Sequence, residues 1–94
     1  MTKSELIERL SFHSGSLNKK EAELIVNTIF DSIGDTLIQG GRVEIRGFGS
    51  FSIRVRDGRE ARNPKSGDVV KIPPKRTPFF KTGKELRERV NIEA

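Results

Sequence analysis

Cysteine, tryptophan and tyrosine are absent from the 94 residues, and there is a single histidine. Without cysteine there is no disulfide or thiolate chemistry, and with His13 alone no histidine–cysteine metal site can form within one chain. The lack of cysteine is compatible with a reducing compartment without proving one. The longest unbroken apolar run is three residues, Leu24 to Val26, far short of the ~20 needed to cross a bilayer. The start, Met1-Thr2-Lys3-Ser4-Glu5, has no apolar core of a signal peptide. Hydrophobic residues make up 33% of the chain, below the usual ~45–50%, a figure that also counts glycine. The length fits one domain. A chain of this size buries only ~60–65% of its unfolded surface, so a core built by one copy is thin.

What is abundant is positive charge, and it is uneven. Residues 1–41 carry net −2, residues 42–87 net +8 and residues 88–94 net −1, for +5 in all. A strongly cationic segment on a mildly acidic scaffold points to a polyanion. Nucleic acid is the first candidate and an anionic membrane surface the second. The plain alternative is a soluble protein with a basic face, since a pI of about 10.0 is only a footprint.

The scaffold reads as helical. Thr2 is placed to cap a first helix, with Glu5 completing a capping box, and Leu6, Ile7 and Leu10 form its apolar stripe. Gly15 suits its end. Asn18 and Glu21 open a second helix, which stops at Gly40-Gly41. Its apolar residues Ala22, Ile25, Val26, Ile29, Phe30, Ile33 and Leu37 span about 140° of the wheel. That is wider than one short neighbour covers, so a second chain is the expected partner. Packing against a sheet of the same chain is the alternative.

The period then changes to two. Val43 and Ile45 alternate with Arg42, Glu44 and Arg46, and Phe51, Ile53 and Val55 alternate with Ser50, Ser52, Arg54 and Arg56. Gly47-Phe48-Gly49 marks a turn between two strands, giving a hairpin laid over the helices. Residues 57–76 have few apolar side chains before Val69, and Asn63-Pro64-Lys65-Ser66-Gly67 is a turn signal at their middle. They read as a two-stranded ribbon that leaves the body and returns, carrying Arg59, Arg62, Lys65, Lys71, Lys75 and Arg76. A disordered polar loop is the alternative. Phe79-Phe80 returns to apolar character, and Thr82 with Glu85 is read as a third capping box, opening a short last helix.

Little here suits catalysis. Asp31 and Asp35 are spaced four apart but lie opposite the apolar stripe of their helix, where solvated acids belong. Gly47-Phe48-Gly49 lacks the third glycine of a dinucleotide fingerprint, and Thr82-Gly83-Lys84 has Pro78 where a P-loop needs its first glycine. No nucleophile–base pair, cofactor site or metal site is expected. Helix starts bind phosphate through unpaired N–H groups, and Lys3 and Lys84 stand beside two of them. Gly47 and Gly49 add backbone N–H groups that a phosphate backbone can approach closely.

Three stretches together resemble the HU/integration host factor family of bacterial DNA-bending proteins. They are Glu44-Ile45-Arg46-Gly47-Phe48-Gly49-Ser50-Phe51, the segment from Gly58 to Gly67 around Arg62-Asn63-Pro64-Lys65, and Pro78-Phe79-Phe80-Lys81-Thr82-Gly83-Lys84-Glu85-Leu86-Arg87. Length and element order match along essentially the whole chain. Residues 1–10 and Glu44-Ile45-Arg46 are most like the integration host factor beta subunit, residues 11–20 depart from it, and Ile72-Pro73 is closer to HU.

The resemblance implies an α+β fold with two N-terminal helices, an antiparallel sheet with a long protruding ribbon arm, and a short C-terminal helix. Residues 1–41 would be the helical dimerisation part, 42–81 the sheet and arm, and 82–94 the last helix, all in one domain. It further implies an intertwined homodimer, or a heterodimer with a related alpha-type subunit. Ile25, Ile29, Phe30, Ile33, Leu37, Phe48 and Phe51 are expected at the shared interface. The partner would be double-stranded DNA in the cytoplasmic nucleoid, embraced through the minor groove and bent, in the service of nucleoid organisation, recombination, replication and transcription. Pro64 would wedge between base pairs, flanked by Arg62, Asn63 and Lys65, with Lys81 and Lys84 among the further contacts. Glu44 and Arg46 emerge on the same strand face, and Glu44 is expected to orient the Arg46 guanidinium for a groove. A non-specific HU-type protein, or a binder of RNA or single strands, is the alternative.

Overall fold

Thr2 and Asn18 begin their helices as their side chains dictate. In the computed structural model, which describes residues 1–92, Thr2 Oγ1 accepts the Glu5 N–H at 3.2 Å and α1 runs Lys3–His13. Asn18 makes a full capping box with Glu21 at the head of α2 (Lys19–Ile38). That helix ends in a Schellman motif: Gly41 N–H reaches Thr36 O at 2.8 Å and Gly40 N–H reaches Leu37 O at 2.9 Å. Gly40 takes φ +82°, a value that suits glycine at this position.

Five strands follow: β1 (Val43–Ile45), β2 (Gly49–Arg56), β3 (Arg59–Arg62), β4 (Val69–Ile72) and β5 (Lys75–Thr82), then α3 (Lys84–Val90). Strands β1, β2 and β5 form one antiparallel sheet in the order β1-β2-β5. Strands β3 and β4 pair only with each other, as the expected ribbon. The ribbon parts from the sheet where Asp57-Gly58 on one strand faces Pro73-Pro74 on the other. Proline gives no N–H to a ladder, so pairing stops there. The arm makes the chain long, at 62 × 37 × 27 Å with a radius of gyration of 19.5 Å, against roughly 12 Å for a compact chain of this length.

Two expectations need correction. Thr82 does not cap α3: it is the last residue of β5, its hydroxyl bonds the Gly83 carbonyl, and Gly83 is the N-cap without a side-chain bond. The pairing of β5 with Gly49 extends one residue further than the capping pattern assumed. The last helix therefore starts at Lys84, and of its expected span 82–94 the residues 93 and 94 lie outside the described residues. Second, the apolar stripe of α2 divides. Ala22, Val26 and Leu37 are buried within the chain, the first two against Ile7, Leu6 and Leu10 of α1. Ile29 and Phe30 remain 52% and 49% exposed, and Ile25 is exposed beside them. Leu37, expected at a shared interface, is already covered by its own chain, whereas Ile33 is partly covered.

Candidate nucleic-acid interface

The register of the sheet sorts its side chains. Residues paired across antiparallel strands point to the same face, and faces alternate along each strand. With Phe51 opposite Phe80, and Val43 opposite Phe51, the face toward the helices holds Val43, Ile45, Phe51, Ile53, Pro78 and Phe80. Phe80 centres that cluster, with ring centroids 4.8 Å from Phe51 and 5.5 Å from Phe48. Gly49 belongs here too. A Cβ on it would stand 2.5 Å from Phe80 Cζ and 2.6 Å from the Lys81 carbonyl. Its missing side chain admits the ring of Phe80, a packing role, and Gly49 also lines the groove formed with Arg42, Arg46 and Lys81.

The opposite face is basic. Arg54 and Arg56 of β2 and Lys75 and Lys81 of β5 share it with Ser50, Ser52 and Glu44, and Arg42 and Arg46 stand just before and just after β1. Among the described residues the one ion pair is Arg42 Nη2 to Glu44 Oε1 at 2.9 Å. Glu44 therefore engages Arg42 and not Arg46, the residue it is expected to orient. Arg46 lies past the end of β1, in a turn closed by the Phe48 N–H to Ile45 O bond at 2.9 Å. That turn needs Gly47 at φ +85°, with the Glu85 carboxylate packed where a side chain would go. Arg42, Arg46, Gly47, Ser50 and Lys81 line an open groove of about 450 Å³ here.

The arm continues the charge outward. Arg62 and Lys71 share one face with Glu60 and Val69, while Arg59 shares the other with Ala61, Val70 and Ile72. At the tip Asn63 organises the turn around Pro64. Its N–H bonds Asp68 O, its carbonyl accepts from Gly67 N–H, each at 2.8 Å, and its Oδ1 accepts from Lys65 N–H at 2.9 Å. Pro64 is thus presented at the arm's end by backbone and side-chain bonds of one residue, with Lys65 beside it.

Three expected contacts stand apart from this surface. Lys3 Nζ donates to Asn27 Oδ1 on α2 at 2.9 Å. Arg76 pairs with Val55 and points to the helix side, where its guanidinium lies beside Gly40 at the end of α2. A cation there complements the helix dipole. Lys84 opens α3, exposed, at a helix too short to make a phosphate site by itself. One contributor was missed. Phe79, read from the sequence only as a return to apolar character, faces the basic side because it follows the pairing of Ser52, and the Arg54 guanidinium carbon sits 3.5 Å from its ring centroid. Adjacent strand residues must face opposite ways, which is the signal that Phe79 and Phe80 cannot both be core.

Among the described residues no cluster of acidic or histidine side chains is built to hold a metal ion. No helix of the described residues is long and apolar enough to cross a membrane.

Comparison with known proteins agrees with this surface. The chain is 55% identical over 91 residues to integration host factor subunit beta of Nitrosospira multiformis, covering 97% of each chain. An Anabaena HU crystallised with DNA superposes with a TM-score of 0.83 at 37% identity, over 97% of this chain and 98% of that one. HU from Thermotoga maritima gives 0.66 at 34% identity, over 97% and 100%. The model of the family described as bacterial DNA-binding protein matches residues 1–91. With its basic face and arm carried on that same fold, the chain belongs to the HU/integration host factor family of architectural DNA-binding proteins.

Proposed function

We propose that two subunits of this fold join through the uncovered face of α2, and that their basic sheet faces and arms together embrace duplex DNA through the minor groove and bend it. The second subunit is another copy or a related alpha-type chain. The observation that carries the reading is the sorting of charge: Arg54, Arg56, Lys75 and Lys81 occupy one sheet face, with Arg42 and Arg46 at the ends of β1, and the apolar residues other than Phe79 occupy the opposite face. Such a face neutralises phosphates and gives salt-dependent affinity. RNA or single-strand binding calls for open aromatic platforms, whereas Phe79 has one ring face covered by Arg54. The site comprises that face, Gly47 at its turn, and Arg59, Arg62, Asn63, Pro64, Lys65 and Lys71 of the arm. The direct test is whether the purified chain forms a dimer that shortens the end-to-end distance of a labelled duplex. An unchanged distance at saturation sinks the bending reading.

Pro64 is the wedge in this reading. Wedging by apolar side chains at the minor groove is known for this very family, so the kink is carried over from it and does not follow from the geometry here. Pro64→Ala is expected to reduce the bend angle more than Lys65→Ala does. Lys65→Ala is expected to lower affinity and to flatten the salt dependence by about one unit of slope. Fluorescence transfer between dyes at the duplex ends measures the first and titration across salt the second. Equal bend angles for wild type and Pro64→Ala remove the wedge.

A further inference from the structure

The last rung of the sheet before the arm departs pairs Arg56 with Lys75, and one repeat inward Arg54 pairs with Thr77. These pairs lie on the same face, so three cations crowd the root of the arm, and among the described residues no carboxylate pairs with any of them. Mutual repulsion alone would drive the three apart. Arg54 is instead held: its guanidinium carbon is 3.5 Å from the centroid of Phe79, a separation that only stacking on the ring face allows. Phe79 reaches it as the diagonal neighbour across β2 and β5. Stacking covers one face of the guanidinium and leaves its N–H donors, which lie in the plane, available at the rim. A planar fork so fixed suits two oxygens of one phosphate.

Resting on the sheet-face reading above, which already assigns Arg54, Arg56 and Lys75 to DNA phosphates, we infer that Phe79 is the positioning residue of this phosphate seat at the arm root, holding the Arg54 guanidinium where the duplex passes from sheet to arm. Phe79 touches no DNA in this arrangement; it acts by presenting Arg54. Its ring also leaves the seat dry on one side, so the fork does not have to be ordered when DNA arrives.

Affinity for a random-sequence duplex, titrated across salt, tests this. Phe79→Leu keeps apolar bulk but loses the ring's charge distribution, and is expected to weaken binding about two- to fivefold with the salt slope unchanged. In an Arg54→Ala background the same change is expected to have no effect, and Phe79→Tyr is expected to bind like wild type. Arg54→Ala is expected to lower the slope by about 0.9. Arg54→Lys, an exposed change that spares the fold, is expected to keep the slope and lose a similar two- to fivefold. A merely structural Phe79 weakens binding equally in both backgrounds and overturns the inference, as does wild-type affinity in Arg54→Lys. Lys75→Ala and Arg46→Ala separate the two readings. If either lowers the slope while Arg54→Ala does not, only the phosphate seat falls. If none of the three lowers it, the sheet-face reading falls as well.

Discussion

Ile29→Asp is expected to abolish the dimer and with it most of the stability of the chain. Ile29 is half-exposed on α2, with Phe30 and Ile25 beside it, and the described residues leave about half of Ile29 and Phe30 open. The buried hydrophobic residues of the described chain are few: Ile7, Ala22, Val26 and Leu37. A second subunit on the α2 face would supply the core that this chain lacks. An aspartate at its centre then costs several kcal/mol, because an ionised carboxylate is removed from water with no partner. On a free surface the same change would cost within about 0.5 kcal/mol. Sedimentation equilibrium reads the mass, and thermal melts at several concentrations read the coupling of folding to association. A variant that sediments as a folded species of wild-type mass, with an unchanged melting midpoint, refutes the shared core.

Much of the fold is legible because local rules and the global fold agree. Asn18 and Glu21 make their capping box, Gly40-Gly41 ends α2, and Asn63 to Gly67 turns the ribbon. The failures come where a long-range pairing decides. Thr82 has the right spacing for a cap, yet β5 claims it through Gly49. Phe79-Phe80 looks like a core pair, yet a strand must split it between two faces. Arg76 counts as one more cation in the sequence, and only its register with Val55 turns it toward α2. The cationic segment 42–87 is visible in composition, but the division of its charges between a face and its reverse belongs to the sheet. Arg42 and Arg46 are equally spaced from Glu44, so spacing alone does not choose between them. Arg42 stays in line with the strand, while the turn at Gly47 carries Arg46 out of it.

That choice sharpens the reading of sequence preference. Because Glu44 is tied to Arg42, Arg46 is left on the rim of the groove with Lys81 and Ser50, carried on a tight turn. An exposed Arg42–Glu44 pair contributes only ~0–1 kcal/mol to stability, so stability does not explain it. Its effect on binding is larger: it cancels one positive charge and keeps a carboxylate on a face meant for phosphates. In the proposed reading the carboxylate weakens binding to every duplex and leaves Arg46 as the cation placed to enter the groove there. An arginine in the minor groove reads its width and separates A·T from G·C steps. Arg46→Ala is therefore expected to lower affinity for a selected site by ~1–3 kcal/mol while binding to random duplex falls much less. Glu44→Ala is expected to release Arg42 to the phosphates, so that random binding holds or rises and preference relaxes. Competition of each variant between the selected and random duplexes at one fixed salt measures both. If Arg46→Ala weakens the two duplexes by the same factor, Arg46 contacts phosphate only, and the chain binds as a non-specific HU-type protein.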